Sequence, residues 1–270
     1  ETKKLTLIGG RLFMTRHQKT LPVLLCDYYK LSHRLQFPKG TSYVYSNWIP
    51  RKSLIPGILK VVEFGPQIFV QEYLVDYFNE EFFEKDINEI VRIYKRMIKH
   101  TLFVDDVDTQ HIEDLHALGY LPIEIKAVAE GTLVPLGTPL LTIENTHPKF
   151  FWLTNFLETM MSAELWQPAT ASTIALEYKK ILTKYALETV GNTDHVQFQA
   201  HDFSFRGMQG VPGGTKSAMA HLTAFVGTDT VPAIEALERY YFANIEKELV
   251  GTSIPATEHS VMCAHGQDEL

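Results

Sequence analysis

The apolar positions change period along the chain, and each change predicts a different element. Residues 41–50, Thr-Ser-Tyr-Val-Tyr-Ser-Asn-Trp-Ile-Pro, are rich in strand formers and stop at Pro50. From 68 to 83, Ile68, Phe69, Tyr73, Leu74, Tyr77 and Phe78 recur close to helical spacing. Asp86-x-x-Glu89 has the form of a capping box, with Asp in place of Ser or Thr. Ile87, Ile90, Val91, Tyr94, Met97 and Ile98 follow as one stripe, so the spacing predicts a helix over 87–100. Between 120 and 146 the period drops to two. Ile123-Glu-Ile-Lys-Ala-Val alternates, Leu140-Leu-Thr-Ile-Glu can form a second strand, and Gly131, Pro135, Gly137 and Pro139 break the span between them. Thr154 to Glu188 is helical again, with Pro168 expected to split it into two helices and Gly191-Asn192 to close the second.

After 195 short apolar runs (Val196–Ala200, Leu222–Val226) alternate with helical stretches (216–222, 230–242), the texture of βα units in a barrel or parallel sheet. Polar residues stand where those strands would end: His201-Asp202-Phe203, Gly227-Thr228-Asp229 and Glu258-His259. Strand C-terminal ends are where such folds place their chemistry. Only two or three such units fit before Leu270, whereas a closed barrel needs eight. The expectation is an α/β protein of two parts: an α+β domain over 1–190, with its β-rich segment at 120–146 and its helical segment at 154–188, then the first βα units of a barrel over 191–270. Either the sheet is small and open or the chain is the front part of a larger protein.

Composition narrows the classes. The chain has 270 residues, 45% of them hydrophobic, which is enough to bury a core without disulfide or metal staples. A net charge of −7 argues against a general nucleic-acid coat. An anionic substrate would need local Arg, Lys or Mg²⁺ against that field. Two cysteines, Cys26 and Cys263, make no disulfide framework and suit a reducing cytosol. No apolar run reaches the roughly 18 residues of a membrane helix. The apolar patch ending at Ile8 is too short for a secretory signal, and residues 1–20 suggest no role.

Single motifs leave alternatives open. Gly210-Val-Pro-Gly-Gly-Thr-Lys-Ser lacks the Gly directly before Lys that a nucleotide loop requires, so a flexible turn is expected there. Asp105-Asp-Val-Asp108 is expected to be a solvated acidic loop rather than a cation site. The histidines have no metal-ligand spacing, no metal site is expected, and His111 and His116 are expected at the surface. No Gly-x-Ser-x-Gly elbow occurs, and neither cysteine has a base close in sequence. His201-Asp-Phe-Ser-Phe-Arg-Gly207 suits a flat ligand and an anion; equally, Phe203 and Phe205 can be core and Arg206 can pair with Asp202. Asp229 can hold a ligand amide or cap the following helix.

The motifs taken in order carry a resemblance. They are Cys26-Asp-Tyr-Tyr-Lys-Leu-Ser-His33, Tyr45-Ser46 with Arg51, Leu121-Pro-Ile-Glu-Ile-Lys-Ala-Val-Ala-Glu-Gly131, Thr142-Ile-Glu-Asn-Thr146, Phe151-Trp-Leu-Thr-Asn155, His201 to Gly207, Gly227-Thr-Asp-Thr230 and Ser253-Ile-Pro-Ala-Thr-Glu-His-Ser260. From about residue 20 onward the chain resembles the nicotinamide phosphoribosyltransferase family. Family members are nearly twice as long, so the resemblance covers their front half, and later barrel strands with further ribose and phosphate contacts would lie in a C-terminal half or a second chain. Where the family commonly has Gly-Tyr, this chain has Ser204-Phe205, and Met208-Gln209-Gly210 is also unusual.

The resemblance implies a type II phosphoribosyltransferase fold and transfer of phosphoribosyl from phosphoribosyl pyrophosphate to nicotinamide. It implies a cytoplasmic homodimer with its site at the interface. Phe203 would stack on one face of the pyridine and Tyr29 of the partner subunit on the other. Asp27 and Arg206 would line the pocket, Arg51 would bind substrate phosphate, and Asp229 would accept the carboxamide N–H₂ and repel the carboxylate of nicotinate. His259 matches the histidine that ATP phosphorylates, with ATP as coupling substrate and Mg²⁺ accompanying the pyrophosphate. Alternatives are a nicotinate phosphoribosyltransferase, a non-catalytic half of a split enzyme, and a module that binds nicotinamide without transfer.

Overall fold

The computed structural model describes residues 19–268; the patch ending at Ile8 and the last two residues lie outside them. The described chain starts with a short helix, α1 (Lys30–Gln36), and strands β1 (Tyr45–Trp48) and β2 (Lys60–Val62). Helix α2 (Pro66–Phe69) continues as wide π turns through Val70–Tyr77 and Asn79–Phe83. The wider turn has a sequence cause: buried Phe69 and Leu74 are five positions apart, a spacing that overshoots an α turn. Asp86 then caps α3 (Ile87–Leu102) by accepting the Asn88 N–H at 2.9 Å. Ile90, Tyr94 and Ile98 form its buried face, and Met97, expected in that stripe, is exposed. Helix α4 (Gln110–Leu118) and strands β3 (Ile123–Ala127), β4 (Leu133–Pro135) and β5 (Leu141–Asn145) complete this layer. The strands pair antiparallel as β1-β5-β3 and β2-β4. On β5, Leu141, Ile143 and Asn145 point inward. Asn145 is satisfied there by the Val44 N–H and the Ser42 and His147 carbonyls.

Helix α5 (Leu153–Thr189) is the spine of the molecule, and it is one helix, not two. Pro168 removes one backbone N–H, yet its ring is packed rather than splayed. It lies against Gly65, where an added Cβ would come within 3.2 Å of the Pro168 Cβ. Thr170 and Thr173 donate to the Trp166 and Ala169 carbonyls, each at 2.6 Å, which further satisfies the backbone on either side of the proline. The first half of α5 packs on the layer of Phe69, Phe78, Phe82, Ile90 and Leu115. The second half meets the C-terminal units.

Those units are strand β6 (His201–Asp202), helix α6 (Gly210–His221), strand β7 (Gly227–Thr228), helix α7 (Val231–Tyr241) and the short helix α8 (His259–Ala264). Strands β6 and β7 are parallel, and a parallel bridge joins Gly227 to Thr252. The run 196–200, expected as a strand, is instead a 3₁₀ turn at Val196–Phe198; its apolarity serves Val196, which is buried with Ala224 and Phe225. The strand at 222–226 is likewise displaced to Gly227–Thr228. The turn expected at Gly210–Ser217 is the first two thirds of α6. Gly214 lets that helix lie on Phe205, whose Cα would be 3.2 Å from a Cβ there. Lys216, the residue that gave this segment its nucleotide-loop look, is buried. It pairs with Glu164, reaches Glu72 at 2.8 Å and sits 4.7 Å over the Tyr73 ring.

Two further expectations change. His111 is half-buried between Tyr94 and Trp152, and burial first, then nearby Arg34, pushes its imidazole down to about 4. His116 bonds the Lys85 carbonyl at 2.8 Å with its ring edge-on to Phe82. In the acidic loop Asp105 pairs with Lys99 and Asp108 with Arg34.

Candidate active site

Three parallel backbone segments end side by side: β6 at Asp202, β7 at Thr228 and the bridge residue Thr252. The residues that follow, Phe203, Asp229 and Ser253, form one polar cluster with an aromatic at its edge. Beneath them Asp202 is buried and fixes the tips together. Its Oδ2 accepts from Thr228 Oγ1 at 2.9 Å and Thr230 Oγ1 at 2.7 Å, and its Oδ1 accepts the Ser204 N–H at 3.1 Å. Burial alone would raise this carboxyl, but the hydrogen bonds from Ser204, Thr230 and Thr228 outweigh it and hold the group below its ordinary value. Asp202 is therefore not the counter-ion of Arg206.

Asp229 is exposed and accepts two hydrogen bonds on one oxygen. Ser253 Oγ donates to Oδ1 at 2.6 Å and His201 Nε2 at 2.7 Å, and in that order they lower its carboxyl below the usual range. It caps no helix: α7 begins after Thr230 without a side-chain cap. Phe203 is 69% exposed, so the core reading fails for it, while Phe205 is half-buried against Gly214. Arg206 lies in the 3₁₀ turn Ser204–Gly207, exposed and with no ion pair among the described residues. An open cleft of about 470 Å³ adjoins the tips, between Ile174 and Tyr178 of α5, His201 and Phe203, and His221 of α6. A larger hollow of about 880 Å³, between the α2 extension and β3, is lined mainly by apolar groups and touches none of these residues. Polar groups converge at the tips, so the chemistry is assigned there.

The remaining sequence-picked residues lie elsewhere. The segment before and within α1 is tied to the front of α5. Asp27 accepts from Thr159 Oγ1 at 2.7 Å, Lys30 pairs with Glu158 at 2.5 Å, and His33 bonds Asn155 at 2.7 Å. Tyr29 is exposed there, its ring edge-on to His33. Glu158 and the cleft residue Ile174 are about 24 Å apart along α5 at 1.5 Å per residue, so within one chain no contact joins Tyr29 to Phe203. Arg51 is exposed beyond β1, without an ion pair among the described residues. His259 opens α8 and is exposed.

Sequence reasoning missed His201, Ser253 and Asp202 as site residues. The signal was present in part: His201 and Asp202 stand within two positions of Phe203, and Ser253 opens the motif that ends in His259-Ser260.

The fold matches solved structures. The crystal structure of human nicotinic acid phosphoribosyltransferase superposes with a TM-score of 0.61 at 18% identity, covering 89% of this chain and 40% of that one. A nicotinate-nucleotide pyrophosphorylase from Pyrococcus furiosus gives 0.51 at 15% identity, covering 96% and 48%. The chain is thus an α/β protein built on part of the type II phosphoribosyltransferase fold. Residues 22–125 match the family described as nicotinamide phosphoribosyltransferase, N-terminal domain, and residues 198–270 match the nicotinate phosphoribosyltransferase (NAPRTase) family. A nicotinamide phosphoribosyltransferase of Acinetobacter baylyi is 48% identical over 92% of this chain and 49% of its own length. One of Mycoplasma genitalium is 34% identical over 93% and 54%. Residues 22–125 thus carry the N-terminal domain of the nicotinamide phosphoribosyltransferase family, and the chain spans about half the length of the curated relatives it matches.

Proposed function

We propose that this chain carries the base-binding part of a site that joins nicotinamide to phosphoribosyl pyrophosphate, giving nicotinamide mononucleotide and pyrophosphate, a step of NAD salvage. The observation that carries the reading is the cluster at the strand tips, where an exposed aromatic and an oriented, ionised carboxylate stand side by side. In the reaction the pyridine nitrogen attacks the anomeric carbon as the bond to pyrophosphate breaks, so the protein has to align the base and offset the leaving charge. Phe203 offers one stacking face, worth about 1–3 kcal/mol by analogy with base–aromatic stacking. Asp229 accepts the carboxamide N–H₂. Arg206 and Arg51, neither spent on an ion pair among the described residues, are available to phosphate oxygens.

The second stacking face would come from Tyr29 of the partner subunit, with Asp27 beside it, in a cytoplasmic homodimer. The separation of Tyr29 from Phe203 along α5 supports that arrangement. His259, exposed at the start of α8, would be the residue ATP phosphorylates. Among the described residues no three His, Cys, Asp or Glu side chains cluster to hold a metal. A Mg²⁺ that accompanies pyrophosphate would be part of the substrate, bound by phosphate oxygens.

The discriminating test is selectivity. Nicotinate would set its carboxylate against Asp229, a like-charge pair that disfavours binding. Asp229→Ser should therefore lose the preference for nicotinamide, and an unchanged preference refutes the assignment. His259→Ala should abolish ATP hydrolysis while leaving ATP-independent transfer.

A further inference from the structure

Asp229 is not free to turn. Both of its side-chain hydrogen bonds fall on Oδ1, from His201 Nε2 at 2.7 Å and Ser253 Oγ at 2.6 Å, and Oδ2 has no partner among the described residues. An ionised carboxylate only accepts, so the imidazole carries its proton on Nε2. His201 is itself held on two sides. Its ring lies against Phe203 with centroids 4.8 Å apart and planes at 37°. Its other edge faces Gly227, where an added Cβ would come within 2.6 Å of Nδ1. Gly227 has no positive φ, so the glycine is required by the close approach of the imidazole and not by the backbone. One histidine thus touches both groups assigned to the pyridine base, and it sits in a seat only a residue without Cβ provides.

We infer that His201, with Ser253 as second donor, is the positioning residue for discrimination between amide and acid: it turns Asp229 so that Oδ2 is presented to the ligand, while its ring braces Phe203. The inference rests on the reading of Asp229 given above and extends it to two residues that reading does not need. Without the Nε2–H donor the carboxylate can rotate about its side-chain torsion and take up a proton. A protonated Asp229 would donate to a nicotinate carboxylate instead of repelling it. Loss of His201 therefore admits the acid as well as weakening the amide.

The test compares kcat/KM for nicotinamide and nicotinate in the purified protein, with whatever subunit accompanies it, for wild type, His201→Ala, His201→Gln, Ser253→Ala and Asp229→Ser. His201→Ala should lower the amide-to-acid ratio by about tenfold, the scale of a lost hydrogen bond to a charged group, chiefly through a higher KM for nicotinamide. His201→Gln, whose amide N–H₂ can reach the place of Nε2, should restore most of it. A merely structural histidine would lower kcat for both bases alike and gain nothing from glutamine. An unchanged ratio in His201→Ala beside a collapsed one in Asp229→Ser overturns the inference and leaves the function standing; an unchanged ratio in both overturns both. A readout independent of turnover is the side-chain ¹⁵N spectrum of His201 at neutral pH. It should show Nε2 protonated, with that signal shifted in Asp229→Asn; an Nε2 without a proton in wild type overturns the inference.

Discussion

Asp202 is predicted to hold the strand tips together, and its removal is the sharpest structural test. In Asp202→Ala three donors lose their acceptor: the hydroxyls of Thr228 and Thr230, both buried, and the Ser204 N–H. A stranded buried donor costs about 1–3 kcal/mol, and hydroxyls can turn to other acceptors, so the sum should fall near 2–5 kcal/mol. At about 2–4 °C per kcal/mol for a chain approaching this size, the midpoint should drop by roughly 4–20 °C. Asp202→Asn keeps one acceptor and should lose less. The pH dependence has a definite sign. The folded carboxyl titrates below its ordinary value, so its stabilisation is complete above the unfolded pKa and disappears as pH falls through the folded one. Wild type should therefore lose stability more steeply in acid than Asp202→Asn. Urea unfolding of the three proteins from pH 7 to 3 measures this. If Asp202→Ala unfolds within about 0.5 kcal/mol of wild type, the range of an ordinary surface substitution, the account of the strand tips is wrong.

Other consequences are separable. Phe203→Ala should raise KM for nicotinamide by about tenfold, as expected for a lost stacking face. The midpoint should stay unchanged because the ring is largely exposed, and a large drop in melting temperature would mean Phe203 is core after all. Burial of Glu63, reinforced by Glu130, pushes its carboxyl up to about 8, and neither of its oxygens has a partner. Its folded pKa lies above the unfolded one, so stability drains as pH rises toward 8. The wild-type deficit relative to Glu63→Gln should therefore widen between pH 6.5 and 8, by on the order of 1 kcal/mol per pH unit, and a constant gap refutes it. Burial pushes the Cys26 thiol up to about 12, while Cys263 is exposed. Iodoacetamide at pH 8 should therefore alkylate Cys263 first, and mass mapping that finds Cys26 modified earlier would contradict the packing.

Sequence patterns were most legible where one period serves one buried face. Helix α3 and the alternation of β3 and β5 follow from Asp86, Ile90, Tyr94, Leu141 and Ile143. They failed where tertiary contact overrides local preference. Pro168 does not divide α5 because Gly65 makes room for its ring, a fact more than a hundred positions away in the chain. The glycines at 210–214 look like a loop, yet Gly214 exists to admit Phe205, and Lys216 answers Glu72 and Glu164 rather than a phosphate. At the strand tips Phe203, Arg206 and Asp229 were visible as polar and aromatic punctuation. His201, Asp202 and Ser253 stood in the same motifs, but their roles were not legible, because those lie in which atom each one faces across parallel segments, with strands of only two residues.

The central claim is that these tips select nicotinamide for phosphoribosyl transfer. It is tested most directly by incubating the purified protein with phosphoribosyl pyrophosphate, Mg²⁺ and equal nicotinamide and nicotinate, and identifying products by mass spectrometry. The account predicts nicotinamide mononucleotide as the main product, and its loss in Asp229→Ser. Nicotinate mononucleotide as the main product of the wild-type protein would contradict it.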